Sequence, residues 1–306
     1  METADVSCII RLRVNSDGDG VRSVVFLYGC PLSCVWCCNP ETRFGGKFKT
    51  LTTAELYELI KRDEIYFRET NGGVTFSGGE PLLHAAFIQE FCEQYGNDMT
   101  VNIETSLCSD FEVISMLIPY INEWMVDWKQ ADAALHAQFT GYSNSLIHEN
   151  LKKLASEVDA GKITVTYPVI PGYTDQDENV GALIEFMHEA GLSRIEYHPY
   201  RKRREEKYRK AGLSFSVIPS LDRDKLWAIE KRISATGIKT VKRDMAVERR
   251  KCDVLKDIRK QVAARHELDV DFRECTFRGR CAGTCPKCEE ELSQINQQLS
   301  QRETWK

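Results

Sequence analysis

No stretch of the 306-residue chain approaches the ~20 consecutive apolar residues that a membrane-spanning helix requires. The N-terminus, METADVSCII, has neither a basic n-region nor a long apolar core, so no secretory signal is read. An excess of positive charge is missing as well. Lys+Arg 41 against Asp+Glu 46 gives a formal charge of −5, which argues against a general nucleic-acid binder but leaves room for a local basic patch. These absences also exclude a disulfide framework, which belongs to small secreted chains. The expectation is a cytoplasmic globular protein, long enough for one large α/β domain with a small appendage or for two modest domains.

What is present in excess is cysteine. Of 12, Cys30, Cys34, Cys37 and Cys38 fall within nine residues, and Cys275, Cys281, Cys285 and Cys288 within fourteen. Such clustering in a reducing, oxygen-poor compartment suggests metal or iron–sulfur ligation. Cys8, Cys92, Cys108 and Cys252 are scattered and are expected to be small buried hydrophobes.

From Arg22 to about Lys242 short β-rich runs alternate with helical stretches. The strands are expected at Val24–Tyr28, Gly73–Phe76, Thr100–Ile103, Trp124–Val126, Ile163–Val169 and Arg194–Tyr197. The helices are expected at Thr53–Ile60, Leu83–Tyr95, Phe111–Leu117, Ser145–Glu157, Asn179–Ala190 and Asp222–Thr236. Thr52 and Glu55 have capping-box spacing, and Gly191 and Gly237 stand where C-terminal caps belong. This alternation implies parallel βαβ units. Six units are too few for an eight-fold barrel, leaving an open partial barrel or a doubly wound sheet. Either way, chemistry gathers at the C-terminal ends of the strands. Residues 1–243 read as the core domain and 244–306 as a separate Cys-rich module ending in a polar helix from about Glu289 to Arg302.

Cys30-x3-Cys34-x2-Cys37 follows the first of those strands. Three thiolates at this spacing can hold three irons of a [4Fe–4S] cube and leave the fourth open to a ligand, whereas four-cysteine clusters are closed. A zinc site is the alternative, although zinc knuckles pair their cysteines differently. Ser77-Gly78-Gly79-Glu80-Pro81 follows the second strand.

Together these two motifs resemble the radical S-adenosylmethionine (SAM) superfamily. Further segments are similar to its glycyl-radical-enzyme activating branch: Asp17-Gly18-Asp19-Gly20-Val21-Arg22, Cys37-Cys38-Asn39-Pro40-Glu41, Gly72 to Glu80, Met125 to Gln130, Thr140-Gly141, Val169 to Asp175, His198-Pro199-Tyr200 and Lys207-Tyr208. The fold implied is a partial (β/α)6 TIM-like barrel. The cofactors implied are a [4Fe–4S] cluster on Cys30, Cys34 and Cys37 with SAM. In that resemblance Trp36 flanks adenine, Gly78, Gly79 and Glu80 meet the methionine end, and Lys129 pairs with its carboxylate. Glu104, Thr105, Met125 and Asp127 hold a monovalent cation, and Asp17, Gly18, Gly20 and Arg22 contact the incoming substrate loop. Cys38, Asp19 and Arg201 depart from the branch's His, Pro and His.

The activity implied is reductive cleavage of SAM to a 5′-deoxyadenosyl radical, followed by abstraction of Hα from a glycine of a partner glycyl radical enzyme. A flavodoxin- or ferredoxin-type protein would be the reductant, with neither membrane nor nucleic acid involved. Cys275, Cys281, Cys285 and Cys288 suit a second [4Fe–4S] cluster or structural zinc, and Cys252 is a possible outlying ligand. That module keeps open a radical SAM enzyme acting on a peptide or small metabolite. A cluster-bearing redox or binding module without SAM cleavage is the reading from another class. The run Arg201-Lys202-Arg203-Arg204 reads as a solvated loop, with docking of an acidic protein next.

Overall fold

Seven strands pointing the same way, in strictly consecutive order, build the framework. The computed structural model describes residues 1–14, 16–43, 45–201, 205–241, 251–272 and 283–302. The strands are β1 (Thr3–Val14), β2 (Val21–Leu27), β3 (Lys49–Thr52), β4 (Gly73–Gly78), β5 (Thr100–Thr105), β6 (Glu123–Asp127), β7 (Ile163–Val169), β8 (Arg194–Pro199) and β9 (Lys239–Thr240). They form one sheet ordered β3-β1-β2-β4-β5-β6-β7-β8-β9. All pairs from β2 to β9 are parallel, while β1 runs antiparallel to both β2 and β3. The order never reverses. With right-handed crossovers, every connecting helix then lies on one side, so the sheet curls into a partial barrel rather than a doubly wound layer. Its edges, β3 and β9, do not pair with each other among the described residues.

The expected strands and helices fall where the sequence pattern puts them, within a few residues. The helices are α1 (Thr53–Ile60), α2 (Glu64–Thr70), α3 (Ala85–Tyr95), α4 (Phe111–Leu117), α5 (Ala133–Thr140), α6 (Ser145–Glu157), α7 (Asp177–Glu189), α8 (Glu205–Lys210), α9 (Arg223–Ser234), α10 (Lys251–Arg265) and α11 (Pro286–Ser300). Thr52 and Glu55 form the reciprocal capping box of α1. Among the elements the pattern did not signal are β1, α2 and α5. Cys92 and Cys108 are buried as expected, but Cys8 is exposed on β1 and Cys252 half-buried on α10. No described helix is long and apolar enough to cross a membrane.

Period-two alternation gives the sheet two chemically different faces. Val74, Phe76, Val101, Ile103, Trp124, Val126, Val165, Tyr167 and Ile195 are fully buried in the main apolar core with the helices. The other face is polar. At its base Glu123 accepts from Asn102 Nδ2 (3.2 Å), Thr164 Oγ1 (2.8 Å) and Arg194 Nη2 (3.2 Å). Toward the C-terminal ends Ser77, Glu104, Asp127, Thr166 and His198 continue this inner face, and there the site forms.

A second apolar cluster joins Leu255, Val262, Leu292, Ile295 and Leu299 of α10 and α11 to Leu12, Val21, Ile65 and Tyr66. Ion pairs reinforce the joint. The Arg11 guanidinium binds the buried Asp63 carboxylate (2.6 and 2.7 Å) and Glu289 of α11 (3.0 Å). Arg259 is fully buried and donates to Glu291 (2.8 and 3.0 Å), to the Tyr66 hydroxyl (2.6 Å) and to Cys288 Sγ (3.6 Å). Val21 opens β2 and Leu12 lies on the neighbouring end of β1, so the two last helices pack toward the base of the barrel. The strand's own length, ~20 Å at ~3.3 Å per residue, separates them from its C-terminal end.

One pH effect follows from α6. His148 stacks on Trp128 with ring centroids 4.2 Å apart. Burial, followed by the charges of His136 and Lys152, lowers its pKa to about 4. An unfolded histidine takes up its proton near pH 6.5, so between about 6.5 and 4 the unfolded state binds more protons and stability falls as pH falls. His148→Phe keeps an aromatic stack but removes the titration. Urea unfolding of this variant is expected to show a flatter pH dependence across that window; parallel curves would contradict the assignment.

Candidate active site

The segment Tyr28–Cys38 leaves β2 and is pinned from three sides. The β4 turn holds its start: Gly79 N donates to Leu27 O (2.9 Å), and Glu80 N to Gly29 O (2.7 Å). The end of α5 holds its middle: Ser33 N donates to Thr140 O (2.5 Å) and Val35 N to Phe139 O (3.0 Å). Helix α8 holds its end. Tyr208 OH donates to Cys37 O (3.0 Å), and Lys207 Nζ donates to Cys38 O (3.0 Å), Asn39 Oδ1 (3.1 Å) and Glu41 Oε1 (2.6 Å). Thr140-Gly141 and Lys207-Tyr208 thereby acquire a physical role that spacing alone did not disclose: both are clasps on the cysteine loop.

The glycines of the β4 turn are required by the chain's own backbone. Gly78 has φ +115°, and a Cβ on Gly79 would lie 1.9 Å from Gly29 O. The resemblance implies that these glycines meet the methionine end of SAM; the close approach they permit in the fold is between the turn and the cysteine loop. Glu80 is buried, and its carboxylate accepts from Thr105 Oγ1 (2.5 Å), Ser106 N (2.9 Å), Ser106 Oγ (2.5 Å) and Leu82 N (3.2 Å). Burial pushes its pKa up against these four donors. Ser106 was not singled out in the sequence, because only the fold brings it to Glu80.

Cys30, Cys34, Cys37, Trp36, Gly78, Gly79, Glu80, Glu104, Thr105, Asp127, Lys129 and His198 line one cleft of about 840 Å³, part of it open solvent. Lys129 Nζ meets Asp127 Oδ2 at 2.5 Å, and Thr166 Oγ1 donates to Asp127 Oδ1 (2.5 Å). Burial opposes charge on Lys129, but Asp127 and the sulfurs of Cys34 and Cys30 hold its pKa above the ordinary value. Asp127 is lowered in turn, since Lys129 and Thr166 outweigh its desolvation. Ser77 Oγ donates to Glu104 (2.5 Å), which burial, with Asp17, raises to about 7. Trp36 is buried, edge-on to Phe139 and Tyr173 at centroid distances of 6.1 and 5.4 Å. Met125 is buried in β6, paired in register with Glu104.

The Ser16–Gly20 loop enters the barrel from its base. Asp17 pairs with Arg13 (2.7 Å), and its main-chain carbonyl accepts from Thr75 Oγ1 (2.5 Å). Gly18 abuts Asn102 and Arg22, and Gly20 abuts Gly72. Arg22 is buried with its guanidinium on Thr75, Thr100 and Val74 O, so it braces the base and does not face the cleft. Of the second cysteine set, Cys285 caps α11 and Cys288 lies in its first turn, beside Arg259. Cys275 and Cys281, with Lys202, Arg203 and Arg204, lie outside the described residues.

Among the described residues no three His, Cys, Asp or Glu side chains converge on one metal ion, but Cys30, Cys34 and Cys37 line one cleft, and a [4Fe–4S] cluster takes its thiolates on separate irons. Burial raises the Cys30 thiol to about 12 and raises Cys34 and Cys37 as well. Thiolates at such positions require a cationic partner beyond Lys129, and ligated iron provides one.

Comparison with known proteins agrees with this geometry. Residues 24–184 match the model of the Radical SAM superfamily. The 4-hydroxyphenylacetate decarboxylase activating enzyme of Clostridioides difficile (strain 630) is 32% identical over an alignment covering 68% of this chain and 85% of that protein. The pyruvate formate-lyase-activating enzyme of Clostridium pasteurianum is 31% identical, covering 70% and 91%. Among solved structures, a radical SAM methyltransferase from Sphaerobacter thermophilus superposes with a TM-score of 0.55 at 17% identity, covering 78% of this chain and 79% of that one. That likeness bears on the fold alone. Since the matched segment contains the three loop cysteines and the turn that braces them, and these relatives are activating enzymes, the chain belongs to the radical SAM superfamily and, within it, to the glycyl-radical-enzyme activating enzymes.

Proposed function

We propose that this protein activates a glycyl radical enzyme by removing Hα from one of its backbone glycines. The partner would be a decarboxylase or lyase of the kind its relatives activate. The observation that carries the reading is the single cleft in which Cys30, Cys34 and Cys37 meet the Asp127–Lys129 pair. Membership of the superfamily implies a [4Fe–4S] cluster and SAM. When bound, they supply one-electron cleavage of the SAM carbon–sulfur bond and a 5′-deoxyadenosyl radical that takes a hydrogen atom.

The chain's own residues do the rest. Cys30, Cys34 and Cys37 would hold the cluster and leave one iron for SAM. Lys129, kept charged by Asp127, would pair with the SAM carboxylate. Trp36, fixed by Phe139 and Tyr173, would flank adenine and help exclude water. Glu80 would act mainly by tying the turn to Thr105 and Ser106, which leaves the Gly78-Gly79 backbone facing the methionine end. Of the Asp17–Arg22 segment, Asp17, whose charge acts on Glu104, would be the member to meet a substrate loop. A flavodoxin- or ferredoxin-type protein would provide the electron.

Cys275, Cys281, Cys285 and Cys288 would hold a second metal centre, a [4Fe–4S] cluster or zinc. Burial raises the Cys288 thiol to about 11 against the pull of Arg259, so a thiolate there would call for a bound metal. The station of α10 and α11 at the barrel base favours bracing the fold over touching substrate.

The test is reductive incubation of cluster-loaded protein with SAM and a partner enzyme. The expected products are 5′-deoxyadenosine and a glycine-centred EPR doublet in the partner. The Cys34→Ala variant should give neither. Release of 5′-deoxyadenosine by that variant would remove the cleft from the mechanism.

A further inference from the structure

The segments Met125 to Gln130 and Val169 to Asp175 contain residues to which the cleft gives no direct role, and in the fold those residues meet. Asp127 and Lys129 line the cleft, so by two-residue alternation Trp128 and Gln130 turn to the opposite side. Trp128 is buried in the main apolar core. Gln130, buried as well, bridges two loops with its amide. Its Oε1 accepts from Ala131 N (2.8 Å), and its Nε2 donates to Tyr173 O (3.0 Å). A side-chain amide can satisfy a buried N–H and a buried C=O at once, which is what this position asks for.

Tyr173 belongs to a turn that is closed on itself. Tyr173 N and Thr174 N both donate to Ile170 O (3.1 Å), while Thr174 Oγ1 accepts from Ile170 N (2.8 Å) and donates to Pro168 O (2.5 Å). The turn forms one wall of the cleft: Ile170 lines it and shares an apolar cluster with Trp36. The Tyr173 ring stands edge-on to Trp36 and Phe139, at centroid distances of 5.4 and 5.0 Å. Two further buried amides hold the segment after Lys129. Asn144 Nδ2 donates to Gln130 O (2.8 Å) and Ala131 O (2.7 Å). Asn179 Oδ1 accepts from Ala131 N (2.7 Å), and its Nδ2 donates to Thr174 O (3.0 Å).

We propose that Gln130 is a positioning residue for SAM: by tying the Tyr173 turn to the segment that carries Lys129, it fixes the spacing between the wall at Trp36 and the Lys129 ammonium. The proposal rests on reading this cleft as the SAM site. SAM carries its carboxylate and its adenine at opposite ends, so a site that grips both must hold the two contacts at a matched distance before the ligand arrives. Gln130 touches neither end and acts through Tyr173. Without its bond Tyr173 O is left unpaired, and the turn, still held at Thr174 O by Asn179, pivots away from Trp36 toward water.

The experiment is equilibrium dialysis of labelled SAM against cluster-loaded, oxidised protein, in which no electron is available to cleave it. Gln130→Met keeps the side-chain length and removes both hydrogen bonds. It is expected to keep its iron and to bind SAM about tenfold more weakly. Tyr173→Leu should weaken binding by a similar factor. Adding Gln130→Met to Tyr173→Leu should then cost less than about twofold more, because the two act through one contact. Gln130→Glu, which still accepts from Ala131 N but cannot donate to Tyr173 O, replaces methionine if that variant loses its iron. An iron-loaded Gln130 variant that binds SAM like the wild type overturns the proposal, as does a full tenfold loss on top of Tyr173→Leu. Loss of iron from both Gln130 variants overturns it too, since the bond would then hold the fold and not the spacing. A cluster-loaded wild type that retains no SAM overturns the reading of the cleft, and this proposal with it.

Discussion

Gly79→Ala is expected to yield a folded protein that holds little iron at the catalytic loop and cleaves SAM at least about a hundredfold more slowly, ~2.7 kcal/mol in barrier. The added Cβ would sit 1.9 Å from Gly29 O and 2.6 Å from its carbonyl carbon, and both are backbone atoms that cannot rotate away. Relief requires moving the turn or the start of the cysteine loop. Either movement breaks the Glu80 N to Gly29 O bond and shifts Cys30, whose place relative to Cys34 and Cys37 fixes the ligand set. A comparison separates this from general glycine loss. Gly212 has φ +69°, and a Cβ there would meet nothing within 4 Å, so Gly212→Ala should cost only the ~1–2 kcal/mol of a left-handed alanine and leave iron content unchanged. Iron and sulfide counts beside far-UV circular dichroism decide the matter. Normal iron and normal turnover in Gly79→Ala would show that the turn does not brace the loop.

Arg259→Leu should lower global stability by ~3–5 kcal/mol, the cost of stranding one member of a buried ion pair. Its guanidinium is 1% exposed and its partner Glu291 4% exposed, so neither finds compensating water when the other is removed. Tyr66 of α2 and Cys288 of α11 lose a donor in the same change, and the contact between the barrel base and the two last helices loosens. Replacing both partners with leucine should recover much of the loss, because no buried charge is left unpaired. Urea unfolding of the two variants measures this. Equal stability in Arg259→Leu and wild type would mean that α10 and α11 are held by apolar contact alone.

Much of the architecture was legible because the core strands and helices carry strong periodic patterns with caps at their ends. The loop cysteines were legible for a different reason: three cysteines within eight residues need no tertiary information to be seen. β1 escaped because it lies toward the sheet edge, where Ile9, Ile10 and Arg11 are only partly covered and no clean alternation develops. The clasps formed by Thr140, Gly141, Lys207 and Tyr208 were visible as sequence likeness, yet their purpose depends on contacts more than a hundred residues away in the chain. Arg22 shows the opposite difficulty. Its motif reads as a substrate contact, but its burial among Thr75, Thr100 and Val74 is a property of the folded barrel.

The most direct measurement of the central claim follows one atom. Glycyl radical enzymes of the decarboxylase and lyase types, prepared with α-deuterated glycine, are incubated with the reduced, cluster-loaded protein and SAM. The account predicts that 5′-deoxyadenosine formed with the cognate partner carries deuterium and that the partner gains a glycine-centred EPR doublet. SAM turnover with every partner tested, but with hydrogen drawn only from a small molecule or another peptide and none from glycine, would contradict it.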